Sequence, residues 1–201
     1  MHRKKYMGGE PGTKGEVNMK YKMTIAGLER ELPLFPISDD TQIAAFILFG
    51  DVEMTEVAAG KLLEKAPEFD IIMSAEAKSI PLVHEMSKQK GINDYVIARK
   101  GIKVYMKDPI SVDVLTITTQ HQQKLHLGQD DVALLKGRKV LIVDDVISTG
   151  ESLKAMEALA EKAGANIVGR MAVLAEGDAY NRTDISVLGQ LPLFDKDGQP
   201  K

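Results

Sequence analysis

The chain has 201 residues, 44% of them hydrophobic and 27% charged, with a formal net charge of −3; this is the make-up of an ordinary soluble globular domain with room for one substantial core. Such a charge gives no electrostatic footprint for nucleic acid, and no apolar run approaches the roughly 18 residues that a membrane helix needs. With no cysteine there is neither a disulfide framework nor a thiolate metal site, and a cytoplasmic setting is the expectation.

Residues 1–18 are rich in Gly, Lys and Glu and have no apolar period, so they are expected to form a flexible tail ahead of a single domain over 19–201. No apolar stretch follows their basic residues, as a signal peptide would require, and Met19 is an equally good natural start. Gly8–Gly15 does not meet the spacing of a phosphate loop. Between Tyr21 and Ile37, Pro33 and Pro36 break any helix. Ser38 is placed to cap a helix running to about Leu48. Tyr21–Gly50 and Ile185–Phe194 are together the candidate segments of a small cap. A second helix is expected over Thr55–Lys65, where Val57, Ala58, Leu62 and Leu63 form an apolar stripe.

From Phe69 onward short apolar runs alternate with helical stretches. Strands are expected at Ile71–Met73, Tyr95–Ala98, Val112–Thr118, Val140–Val143 and Ile167–Leu174, with helices near Ile80–Lys88 and Glu151–Ala163. Val140–Val143 has no internal alternation and reads as a central strand, whereas Val112–Thr118 alternates and reads as more exposed. Strands apolar on both faces and separated by helices indicate an α/β fold: an open, mainly parallel twisted sheet with helices on both faces.

The informative stretch is Val140–Ser152, VLIVDDVISTGES. A buried strand ends in two carboxylates, Asp144 and Asp145. A loop of small and hydroxylated residues, Ser148–Thr149–Gly150, then opens directly into a helix. Unpaired N–H groups at that helix start make an anion site, to which Ser148, Thr149 and Ser152 add hydroxyl donors, and Gly150 lets the backbone approach closely. The carboxylates would repel a phosphate, so they suit a polyhydroxylated sugar or its metal ion one ribose length away.

This stretch resembles the motif by which type I phosphoribosyltransferases bind phosphoribosyl pyrophosphate (PRPP), and the chain is nearest to their adenine phosphoribosyltransferase branch. The resemblance spans roughly Leu32–Glu176. It implies that Asp144 and Asp145 bind the ribose, while Val146, Ile147, Ser148, Thr149, Gly150, Glu151 and Ser152 cradle the 5′-phosphate. Ser74–Ser79 is similar to the family's pyrophosphate loop, which assigns Ala75, Glu76, Ala77 and Lys78 to the diphosphate, with Lys78 where arginine is more usual. Arg99 and Lys100 match the family's basic pair after the next strand and join the same subsite. Gly101–Lys124 is similar to the hood loop that closes over the family's active site and excludes water. That loop departs from the adenine branch in holding no carboxylate, which leaves His121 as the candidate proton-handling residue. Phe35, in the cap, is a candidate for contact with the base.

His121 and His126 would face opposite sides of an extended chain, so no protein-bound zinc is expected; Mg²⁺ would arrive with the diphosphate of PRPP. What the resemblance implies is transfer of ribose 5-phosphate from PRPP to a purine with release of pyrophosphate, in nucleotide salvage. Adenine is the first expectation for the base and xanthine the second. The partners are then PRPP and a nucleobase, with no nucleic acid or membrane, in a homodimer. The alternative is a non-catalytic PRPP-binding regulator of the purine-repressor type, which Lys78–Ser79–Ile80–Pro81 and the missing loop carboxylate also resemble.

Overall fold

The computed structural model describes residues 19–114 and 123–201. In chain order its strands are β1 (Lys20–Ile25), β2 (Leu28–Pro36), β3 (Gln42–Ala44), β4 (Ile71–Ala75), β5 (Tyr95–Ala98), β6 (Ile110–Val114), β7 (Gln123–Leu127), β8 (Lys139–Ile147), β9 (Asn166–Glu176) and β10 (Ser186–Leu191). The helices are α1 (Val52–Lys65), α2 (Ile80–Lys90), α3 (Gln129–Leu135) and α4 (Glu151–Lys162). The predicted tail, residues 1–18, lies outside the described residues.

Five parallel strands form the central sheet in the order β10-β9-β8-β4-β5. Their side chains alternate between its faces, as the pleat requires. Ile72, Leu141, Val143, Met171 and Val173 pack with Met54, Ala58 and Leu62 of α1 and Leu82 and Met86 of α2. Ile71, Met73, Val140, Ile142 and Ala172 pack instead with Leu153, Met156 and Leu159 of α4 and Leu135 of α3. Both faces are covered, which is why these strands read as continuous apolar runs. Strand β5 lies on one side of β4 and β8 on the other, so a crevice opens where the order reverses, at the carboxyl ends of β4 and β8.

The remaining strands form two small antiparallel sheets, β1-β2-β3 and β6-β7. Strands β1 and β2 meet at Ala26 and Gly27, whose φ values of 52° and 92° suit a two-residue hairpin turn that follows the strand twist. The predicted helix over Ser38–Leu48 does not form: β3 and the extended chain after it take its place. Gln42, Ala44, Phe46 and Leu48 are buried while the residues between them are not, the period of an extended chain. Because Ile43–Phe49 is apolar at every position, that period is invisible in the sequence.

Ile185–Phe194 also departs from expectation, since Ser186–Leu191 is the edge strand of the central sheet rather than part of a cap. Past β10, Phe194, the last residue of that segment, bridges Gln42 of the N-terminal sheet. The strand expected over Val112–Thr118 is Ile110–Val114, and it pairs with β7 outside the central sheet; residues 115–122 are outside those described.

Candidate active site

Strand β8 continues through the acidic pair instead of ending before it, and its pairing with β9 runs to Ile147. Alternation therefore sends the two carboxylates in different directions. Asp145 is 3% exposed, while Asp144 is half-buried and lines the crevice. Ser79, the first residue before α2, ties them together. Its hydroxyl lies 2.6 Å from Asp144 Oδ1 and accepts the Asp145 amide at 2.9 Å. Although Ser79 stands at the start of α2, its hydroxyl makes no capping bond and serves the acidic pair instead. Lys78 Nζ stands 2.6 Å from Asp145 Oδ2. Burial, and then the charge of Asp145 beside it, push the Asp144 carboxyl up to about 7.

Past Ile147 the chain turns through Ser148 and Thr149, both exposed, to Gly150, whose φ of +80° lies in the left-handed region. Helix α4 starts there with no side chain capping its first amides, so those donors face outward as an anion site. A hollow of about 110 Å³ is lined by Asp144, Val146–Leu153 and the amides of this turn. Glu151 leans toward Lys154, 3.6 Å away, along the helix, which offsets its charge at the start of α4. Sequence reasoning missed Arg182. Its guanidinium is fixed on Asp184 by two bonds of 2.9 and 2.7 Å, and its Nη1 occupies the space beside Gly150 where a side chain would begin. Nothing in the local pattern links residues 150 and 182, which only the fold brings together.

Across the crevice, the Glu76 amide donates to Ala98 O at 2.9 Å, joining the loop after β4 to the end of β5. The Glu76–Ala77 peptide is cis. Glu76 Oε2 accepts the Lys100 amide at 2.9 Å, and its Oε1 lies 3.3 Å from Arg99 Nη2. The structure thus separates the basic pair: Lys100 lines the crevice, whereas Arg99 braces Glu76. The crevice holds about 400 Å³, with Ala75–Ser79 and Lys100 on one side and Asp144–Val146 and Ser152 on another. Val114, Gln123 and Leu125 of the β6-β7 ribbon complete its wall; the first two fall within Gly101–Lys124, the stretch expected to form the hood loop.

Phe35 stands apart, 43% exposed on β2 and away from the crevice lining. His121 lies outside the described residues. His126 is buried on β7 with Nδ1 2.7 Å from Ser111 Oγ, and burial followed by the charge of Lys124 holds its imidazole below the ordinary value. Among the described residues no three His, Asp or Glu side chains converge as a metal site would need, and no helix is long and apolar enough to cross a membrane.

Residues 53–190 match the phosphoribosyl transferase domain family. A hypoxanthine/guanine phosphoribosyltransferase of Methanocaldococcus sp. is 34% identical over 145 residues, which cover 72% of this chain and 68% of that protein. An adenine phosphoribosyltransferase of Mycolicibacterium gilvum is 31% identical over 173 residues, covering 84% of this chain and 88% of that one. Among solved structures, the fold is similar to adenine phosphoribosyltransferase from Rhodothermus marinus, with a TM-score of 0.63 and 21% identity over 86% of this chain and 94% of that chain.

Proposed function

This chain belongs to the phosphoribosyl transferase domain family, and on that premise we propose that it transfers ribose 5-phosphate from PRPP to a ring nitrogen of a purine. The observation that carries the proposal is the meeting of three sites in two adjoining hollows that share Asp144, Val146 and Ser152: the amides at the start of α4, the Asp144–Asp145 pair, and the loop from Ala75 to Lys78 with Lys100 opposite. In that order they fit a phosphate, a ribose and a diphosphate. The 5′-phosphate sits on Val146–Ser152, with Arg182 backing Gly150. The ribose hydroxyls donate to Asp144 and Asp145. The diphosphate lies toward Lys78 and Lys100 and brings Mg²⁺ as part of the substrate, the ion keeping several of its waters.

Such an arrangement works by position and charge. The bond from the anomeric carbon to the diphosphate oxygen breaks, and its electron pair leaves with the diphosphate. The base nitrogen forms the new bond and gives up its proton to water. Fixing both ends of PRPP holds the anomeric carbon in line, and the lysines stabilise charge on the departing group. The half-open wall of Val114, Gln123 and Leu125 is where the base would approach. Adenine is the first choice, supported by the adenine-specific name of one relative; hypoxanthine and guanine, named for another, come next to it, and xanthine remains in the set to test.

The test is pyrophosphate release from Mg²⁺-PRPP across adenine, hypoxanthine, guanine, xanthine, uracil and orotate. Release with one purine supports the proposal and names the base. Tight PRPP binding without release for any base would overturn it in favour of a PRPP-responsive regulator.

A further inference from the structure

Asp145 borders the crevice but is covered as the site stands. It is 3% exposed, and its Oδ2 is out of contact with solvent beneath Lys78 Nζ at 2.6 Å. Its Oδ1 lies 3.3 Å from Ser79 Oγ. A carboxylate enclosed in this way accepts a hydroxyl from a sugar only after a neighbour withdraws. Ser79 is 1% exposed and held by Asp144, so it is fixed in place. Lys78 is not: about half of its side chain is exposed, at 51%, and its four-carbon stem rotates freely. It also belongs to the loop that lines the crevice on the diphosphate side.

Resting on the PRPP reading above, we infer that Lys78 is a gate on the ribose subsite and determines specificity for PRPP over ribose phosphates that lack the diphosphate. In the free protein its ammonium neutralises Asp145 and covers it. The diphosphate of PRPP offers a more highly charged partner. Lys78 transfers to it, and Asp145 is uncovered for a ribose hydroxyl. Once the diphosphate has left, Lys78 returns to Asp145 and competes with the sugar of the nucleotide product, which favours its release. A lysine suits this task, being a compact charge that serves one partner at a time, whereas an arginine fork can hold two together. By linkage, diphosphate contact and ribose contact strengthen each other through this one side chain.

The experiment is calorimetric titration of wild type, Lys78→Met and Lys78→Arg with ribose 5-phosphate and, separately, with Mg²⁺-PRPP. For Lys78→Met, PRPP affinity is expected to fall about ten-fold through the lost charge-assisted contact. Ribose 5-phosphate affinity is expected to rise up to about five-fold, the scale on which a half-exposed ion pair competes. Lys78→Arg keeps the cover on Asp145 and shows no such rise. In an Asp145→Asn background, replacing Lys78 no longer changes ribose 5-phosphate binding. A lysine that only touched the diphosphate would leave ribose 5-phosphate binding unmoved; that outcome, or a loss, overturns the gate while wild-type binding of both ligands keeps the PRPP reading standing. Wild-type protein that binds neither ligand overturns both. Where Lys78→Met does not fold, Lys78→Gln gives the same comparison, since its amide still packs against Asp145 without the charge.

Discussion

Gly150 shows how one position ties the turn into α4, proposed to hold the 5′-phosphate, to a distant arginine. A side chain there would sit at φ +80° with its Cβ 2.5 Å from Arg182 Nη1, and Arg182 cannot swing away without leaving Asp184. Gly150→Ala is therefore expected to cost about 1–3 kcal/mol for the left-handed conformation and to weaken ribose 5-phosphate binding about ten-fold through the displaced amides. Adding Arg182→Ala should relieve the clash but not the backbone cost. The double variant would then fall short of the summed single effects in urea unfolding, and strict additivity would show that the two residues do not meet. Asp144 makes a prediction about pH. Burial and the charge of Asp145 push its carboxyl up to about 7 in the folded protein, from 3.8 for an ordinary aspartate, so the folded state holds a proton that the unfolded chain has lost between those values. Stability from this group falls as pH rises across that window, and its full cost is present above 7. Asp144→Asn, which mimics the neutral form, should raise the melting temperature at pH 8 and change it much less at pH 5. The same variant should lose PRPP binding, because an ionised acceptor for the ribose is gone. A melting temperature equally shifted at both pH values would refute this assignment. The acidic pair and the turn into α4 could be read together because Val140–Ser152 is one contiguous stretch. Ser79, Arg182 and the division of labour between Arg99 and Lys100 could not, since each depends on a partner far along the chain.

Elements were legible where burial imposes a period. Tyr95–Ala98 is the strand read from sequence, and α2 and α4 match their predicted spans within about two residues, the usual uncertainty of helix ends. Legibility failed where both parities are apolar, as in Ile43–Phe49, or where a strand is too short to show alternation, as in β7 and its buried Leu125–His126–Leu127. Ser186–Leu191 failed for another reason: an edge strand of a parallel sheet needs no strong apolar pattern, and five of its six residues remain at least partly exposed. Helix α1 illustrates a start signal that was present but not used. Asp51 accepts the Met54 amide at 3.1 Å and also holds Arg30 of β2 at 2.7 Å, so the cap that begins the helix is also the fastening of the N-terminal sheet. Asp51→Ala is expected to cost about 1 kcal/mol of stability for the lost cap. Asp51→Asn should recover most of it, as asparagine caps nearly as well. Equal losses in the two variants, measured by urea unfolding, would place the stabilising role in the Arg30 pair rather than in the cap.

At the scale of the molecule, the N-terminal sheet is fastened to the α/β body by the end of the chain. Phe194 is fully buried, its ring centroid 4.7 Å from that of Tyr21. Its backbone exchanges two hydrogen bonds with Gln42, at 2.8 and 3.0 Å, and Gln42 Nε2 reaches the carbonyls of Asp195 and Lys196. The same ring packs in the core that contains Leu34 and Phe46 from the N-terminal segment and Leu141 from the central sheet. Removing it opens a cavity between the two parts rather than within either, and Phe194→Ala is expected to cost about 3–5 kcal/mol. Neither hollow of the active site is lined by residues of the N-terminal sheet or of the segment after β10. The two hollows proposed to hold ribose phosphate are therefore lined by the central sheet, α2, α4 and the β6-β7 ribbon, and their binding should outlast damage at the Phe194 joint. Ribose 5-phosphate titrations of the folded Phe194→Ala variant, well below its melting temperature, should give a dissociation constant within about two-fold of wild type, a change of less than 0.5 kcal/mol. A ten-fold loss at a temperature where the variant is folded would mean that the N-terminal sheet orders the phosphate loop through the core they share, and the molecule would then work as one cooperative unit rather than as a binding body with a fastened cap.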